Sequence, residues 1–268
     1  MTAEEQAAQH AQTVRDEHGL GVLPVPDLVE FVSDHADCDV VVMAMDDGVD
    51  GVIARDPQTG RVYIAVKACD QWARQRLTLA HELGQLLTDG LDRDLPADCR
   101  SDDAAESAAS NFGRHLLAPD AGVNALLRAE QAERGQIDTS HLSLVVHHFG
   151  VSPQVASIQM RRTGWISADQ DAHWRADPRV TTRWLATRYG WRAEHDRWAA
   201  DATVSRPPVR LLRRVTDAYV AGQASVAAVA AVAGITEQQA RDWLDAEDIH
   251  PQPKRVQVKW FDFGDDTA

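Results

Sequence analysis

The run Thr78-Leu79-Ala80-His81-Glu82-Leu83-Gly84-Gln85 sets an adjacent His–Glu pair inside an apolar helical pattern that extends from about residue 71 to 88 and is stopped by Gly90. Residues four apart on a helix share a face, so His81 and Gln85 look the same way, with Glu82 beside them. When both positions four apart are His, the two imidazoles grip one metal ion and the intervening Glu reaches the metal-bound water. The metal lowers the pKa of that water and polarises a carbonyl, and the Glu takes the proton. Here the second position is Gln85, which leaves the fold constraint intact and changes the chemistry.

A further ligand is expected from a downstream helix. Glu106 opens the stretch Glu106-Ser107-Ala108-Ala109-Ser110-Asn111-Phe112-Gly113-Arg114-His115-Leu116-Leu117, in a helix read from about 102 to 117 and ended by Pro119. Ala109, Phe112, Leu116 and Leu117 give that helix an apolar face to pack on the first. Upstream, residues 3–18 and 25–34 read as helices. Three short runs, 40–43, 51–54 and 61–66, read as strands, the last two joined as a hairpin through Asp56-Pro57-Gln58-Thr59-Gly60. Strand 61–66 reads as the edge on which an extended peptide would pair.

The balance of charges narrows the function. The formal net charge is -14, which argues against binding nucleic acid through bulk electrostatics. Cys38, Cys69 and Cys99 are odd in number, widely spaced and without a CxxC pair, so reduced thiols in the cytoplasm are expected rather than a disulfide framework. The acidic, polar start Met1-Thr2-Ala3-Glu4-Glu5-Gln6 does not read as a signal peptide, and no apolar run reaches the roughly 18 residues of a membrane span.

The stretch Arg74-Gln75-Arg76-Leu77-Thr78-Leu79-Ala80-His81-Glu82-Leu83-Gly84 resembles the RxRFTLAHELGH signature of the ImmA/IrrE metallopeptidases, and 106–119 is similar to their E-x-x-A-N-x-F-A-x-x-L-L-x-P element. Leu77, Ser110 and Gly113 depart mildly from these patterns, Gln85 more deeply. The resemblance covers roughly residues 5–167. It implies an α+β fold, with a small β-sheet packed on the zincin-like motif helices and an all-helical C-terminal half. It also implies zinc held by His81 and Glu106, with Gln85 standing at the position of the third ligand, and Glu82 as the catalytic base. Family members cut helix-turn-helix repressors in prophage, mobile-element or stress control, or accompany toxin–antitoxin systems. A protein partner of that kind is therefore expected here.

Three readings of Gln85 stay open. Its neutral amide oxygen is a poorer zinc donor than imidazole, so a His/Gln/Glu set binds metal weakly and tilts toward Mn²⁺ or a similar hard ion. Alternatively the site holds no metal, and the chain is a pseudo-peptidase that binds a protein partner, or DNA, without cutting. In the third reading another ligand replaces Gln85. Asp89, one turn further along the same face, is the best candidate on this helix. His115 sits nine residues after Glu106, on the opposite helix face, and reads as a surface residue. Asp102 and Asp103 read as N-terminal caps more than as residues orienting His81. His141, His147 and His148 lack ligand spacing.

The C-terminal half repeats one grammar. Residues 140–164 and 225–245 each read helix, Gly (Gly150, Gly234), a Ser or Thr cap, helix: helix-turn-helix-like units. In the second, Glu237, Asp242, Asp245, Glu247 and Asp248 crowd the would-be recognition helix, which favours protein contact over DNA. Trp165, Trp174, Trp184, Trp191 and Trp198 read as core residues. The expected organisation is 1–125 metallopeptidase-like, 126–170 the first helix-turn-helix-like unit, 171–206 a Trp- and Arg-rich connector, and 207–268 a second such module beyond Pro207-Pro208. The expected function is regulatory, metal-dependent proteolysis.

Overall fold

The fold is α+β, and its only sheet among the described residues has three strands. The computed structural model describes residues 2–89 and 103–251; the side chains of 88, 89 and 103–106 stand outside that description. Capping sets the first helices. Thr2 and Glu5 form a capping box at the start of α1 (Ala3–Glu17), and the Asp27 carboxylate accepts the N–H groups of Val29 and Glu30 at the start of α2 (Leu28–His35). Helix α2 thus begins after Pro26 rather than at Val25, because Asp27 supplies the cap.

The strands β1 (Asp39–Met43), β2 (Gly51–Arg55) and β3 (Val62–Lys67) are ordered β1-β3-β2. The hairpin expectation holds for β2 and β3, which pair antiparallel through a turn where Asp56 accepts from the Gln58 N–H and Gly60 takes φ 70°. The edge expectation fails. β3 also pairs in parallel with β1, from Asp39↔Tyr63 to Met43↔Lys67, and is therefore the central strand. The outer side of β1 is bridged by Arg206 through Val42, which leaves β2 as the outer strand that nothing pairs among the described residues.

Helices α3 (Trp72–Asp89) and α4 (Asp103–Leu117) form the centre of the packing. Leu79, Leu83, Phe112, Leu116 and Leu117 are fully buried, each contributing about 1.5–3 kcal/mol of hydrophobic stabilisation. Helix α1 lies along α4 and seals it. The fully buried Arg15 of α1 donates to the backbone carbonyls of Gly21, Leu23 and Leu116; burial, against the pull of the neighbouring Asp16 carboxylate, lowers its pKa to about 10.

The helices α5 (Asp120–Ala129), α6 (Thr139–Phe149), α7 (Pro153–Arg162), α8 (Ala168–Ala176), α9 (Thr182–Arg188) and α10 (Arg192–Ala202) continue the same core. Gly150 ends α6 in the left-handed region and Ser152 caps α7 ahead of Pro153, as the helix-turn-helix-like pattern predicts. Trp165, Trp174 and Trp191 are buried, and Trp184 and Trp198 pack against them as partly buried residues.

The chain divides into two compact units, residues 1–209 and 210–268. The second holds α11 (Val209–Val220), α12 (Val226–Ala233) and α13 (Glu237–Ala246). Its small core is Val229, Ala230, Ala240 and Leu244, with Gly234 as a left-handed C-cap and a Thr236–Gln239 capping box. No helix among the described residues is long and apolar enough to cross a membrane.

Candidate active site

The His–Glu pair is held by a close approach of two helices that only glycine permits. A Cβ at Gly84 of α3 would stand 2.9 Å from Phe112 Cδ1 and 3.2 Å from the Ala109 backbone of α4. Three residues earlier on α3, a Cβ at Gly113 would meet the His81 nitrogen at 3.3 Å. The helices therefore run antiparallel in contact, and Ser110 comes against His81.

The His81 ring is fixed at both nitrogens. Nδ1 lies 3.2 Å from Ser110 Oγ, and Nε2 lies 3.0 Å from the side-chain amide of Gln85. A neutral imidazole with its proton on Nδ1 satisfies both contacts: it donates to the Ser110 hydroxyl and accepts the Gln85 N–H on Nε2. A hydrogen bond at Nδ1 is how a metal-ligating His is normally oriented. Ser110, a departure from the family pattern, is the partner that the sequence reading missed; its spacing of four from Glu106 was the available signal. The same spacing places Glu106 on the face of α4 that Ser110 turns toward His81, one turn nearer the start of that helix. The Glu106 side chain itself, like those of Asp89 and Asp103, stands outside the described residues, as does Asp102.

Glu82 is 8% exposed, and its carboxylate reaches the first residue of β2. A Cβ on Gly51, the first residue of β2, would fall 2.6 Å from Glu82 Oε1 and 2.6 Å from Thr78 Cγ2. The bare glycine thus lets the outer strand lie directly against the carboxylate. The Lys67 N–H donates to the Asp50 carbonyl at 2.9 Å and the Asp56 N–H to that of Arg61 at 2.8 Å, in register with Val52↔Ala65 and Ala54↔Tyr63. Bonded positions alternate along an antiparallel strand, so Gly51, Ile53 and Arg55 turn their backbone groups to the outer edge. An Arg74–Asp50 ion pair stands at the near end of this edge.

His81 and Gln85 suit a metal ion. Two donors bound to one ion at about 2.1 Å lie roughly 3.0–3.4 Å apart, and the His81–Gln85 separation is 3.0 Å. Turning the amide over presents its oxygen at that point. With a carboxylate as the third donor the set is richer in oxygen than two imidazoles and a carboxylate, which favours harder ions. Among the described residues no three His, Cys, Asp or Glu side chains gather as metal ligands.

Other sequence candidates go elsewhere. His115 is a correction: it is buried, not a surface residue, because α1 and α7 cover that face of α4. It lies 3.7 Å from Glu4, 3.6 Å from Asp120 and 3.3 Å from Gln159, and burial lowers its pKa. His147 pairs with Glu194 at 2.7 Å and stacks on Trp191, and His141 serves the Asp138 cap of α6.

Residues 36–161 match the family model described as the IrrE N-terminal-like domain, Peptidase_M78. No curated protein matches the chain. The match spans the sheet, α3 with its His81–Glu82 pair, α4, and the α6–α7 unit. Over these residues the chain resembles the ImmA/IrrE family and carries a metallopeptidase-like domain.

Proposed function

We propose that this chain is a regulatory metal-dependent endopeptidase that draws an extended segment of a protein partner along the outer edge of β2. The observation that supports this best is the Glu82 carboxylate lying against Gly51 of the outer strand, beside the His81–Gln85 pair. A peptide paired with the outward groups of Gly51, Ile53 and Arg55 passes the Glu82 carboxylate, which is placed to take a proton from water. His81, Gln85 and Glu106 would hold the ion, which supplies a Lewis acid for the scissile carbonyl and lowers the pKa of water. Ser110 keeps the His81 ring in the orientation that leaves Nε2 facing Gln85. Burial of Glu82 under the strand limits its hydration and keeps it aimed. With one amide in place of an imidazole, a weakly held zinc or a manganese ion is the expected metal. The family resemblance points to a helix-turn-helix repressor or a toxin–antitoxin component as the partner.

A second reading has an observation of its own. The Gln85 amide N–H can satisfy His81 Nε2 without metal, so the same groove can serve a pseudo-peptidase that binds its partner uncut. The two readings separate on Glu82→Gln, which keeps size and removes the base. In cells with equal protein levels, proteolysis requires that this variant lose regulation and leave the partner full-length on a gel. Unchanged regulation with an uncut partner in the wild type rejects proteolysis in favour of binding.

A further inference from the structure

On the other side of α3 from Gln85, and separate from the site above, lies a cavity of roughly 350 Å³. Its walls come from the start of α2, the first turns of α3, the end of α6 and the end of α10, with Trp72, Trp198 and Leu79 among the apolar ones and Asp27, Asp201 and Arg206 at the exposed rim. Into this wall projects Arg76. Its Nε donates to the Gly150 carbonyl at 3.1 Å and its Nη2 to that of Val25 at 2.9 Å. A guanidinium carries five N–H donors, so most of its capacity is left. No carboxylate among the described residues lies within ion-pair distance of it, and the nearest influence is Asp27, whose Oδ1 already caps α2. Burial without an ion-pair partner lowers its pKa to about 10, so it stays charged. A second lining residue, Trp72, has its indole N–H buried with no acceptor. This part of the cavity therefore holds donors and positive charge in excess of acceptors, beside aromatic walls.

We propose that this cavity is a binding site for a small organic anion, whose carboxylate or phosphate group meets the Arg76 fork and whose apolar body lies against Trp72 and Trp198. A planar guanidinium with free donors recognises such oxyanions through paired hydrogen bonds, and an ion buried without a counter-ion gains most from one. The size fits a metabolite rather than a peptide. Because Arg76 and His81 share α3, occupancy would bear on the helix that carries the catalytic pair, but the site stands or falls independently of the peptidase reading.

The test titrates the full chain by calorimetry with benzoate, with its neutral isostere benzamide, and with inorganic phosphate. The expected result is saturable binding of benzoate or phosphate with a dissociation constant on the order of 1 mM or tighter, fair for probes so small. Benzamide should bind at least about tenfold more weakly, and Arg76→Gln should weaken the anion by about tenfold or more. Benzoate without phosphate marks a carboxylate site, and phosphate without benzoate a phosphate site. Val29→Phe fills the cavity without touching the guanidinium and should abolish binding, which serves should Arg76→Gln fail to fold. No saturable heat with either anion, equal affinity for benzamide, or binding that survives Val29→Phe would overturn the proposal.

Discussion

Substituting Gly84→Ala tests the helix contact on which the site depends. Alanine in a helix interior gains about 1 kcal/mol over glycine through backbone entropy. Against that, the new methyl would sit 2.9 Å from Phe112 Cδ1 and 3.2 Å from the Ala109 backbone. Phe112 is fully buried, so the ring has little room to turn, and relief requires α3 and α4 to part. Overpacking of this kind costs about 1–3 kcal/mol, and the backbone neighbour puts Gly84 at the upper end. The net loss is about 1–2 kcal/mol, which in a unit of this size lowers Tm by roughly 2–8 °C. Gly113→Ala is the control, since its nearest neighbours stand at 3.3–3.4 Å and a small give suffices. Its net change should stay within about 1 kcal/mol. Far-UV circular dichroism during urea and thermal unfolding measures both. If Gly84→Ala is as stable as wild type, or Gly113→Ala does equal damage, the close approach is not what holds these helices.

Other expectations follow from the same geometry. Gln85→His should raise zinc affinity by about tenfold or more in equilibrium dialysis, since an imidazole replaces a neutral amide; an unchanged affinity would show that position 85 does not face the ion. Amide exchange at Gly51, Ile53 and Arg55 should slow when a partner binds while that at Val52 and Ala54, already bonded to β3, changes little; the reverse pattern would remove the outer edge as the docking strand. His115 has its pKa lowered from 6.5, chiefly by burial and against the pull of Asp120, so the unfolded chain takes up this proton first. Stability from this group is complete above pH 6.5 and declines as pH falls toward its lower folded value. His115→Gln should flatten that decline in urea midpoints, and an unaltered slope would refute the assignment.

How far the sequence carried this account varies with the range of the interactions involved. Local signals were reliable: the caps at Ser152 and Thr236, the left-handed Gly150 and Gly234, and the turn at Asp56 each fix geometry within a few residues. The α3 helix and the faces of His81, Glu82 and Gln85 follow from helical period alone. Strand order did not, because the parallel β1–β3 pairing joins segments about twenty residues apart and displaces the hairpin's second strand from the edge to the centre. The burial of His115 was hidden for a related reason: helical angle says which face a residue takes, not which other helix covers it. Helix α5 went unread in a stretch of mild amphipathicity, and the Arg76 cavity draws its walls from α2, α3, α6 and α10, so no local pattern announces it.

The central claim is that His81, Gln85 and Glu106 hold one catalytic ion beside Glu82. Elemental analysis of the full chain, dialysed against micromolar zinc or manganese, tests it directly. The account predicts bound divalent ion at no more than one per chain and measurably above none, lost in His81→Ala and in Glu106→Ala and retained in Glu82→Gln. A wild type that holds no ion under these conditions, or holds one that His81→Ala leaves in place, would contradict it.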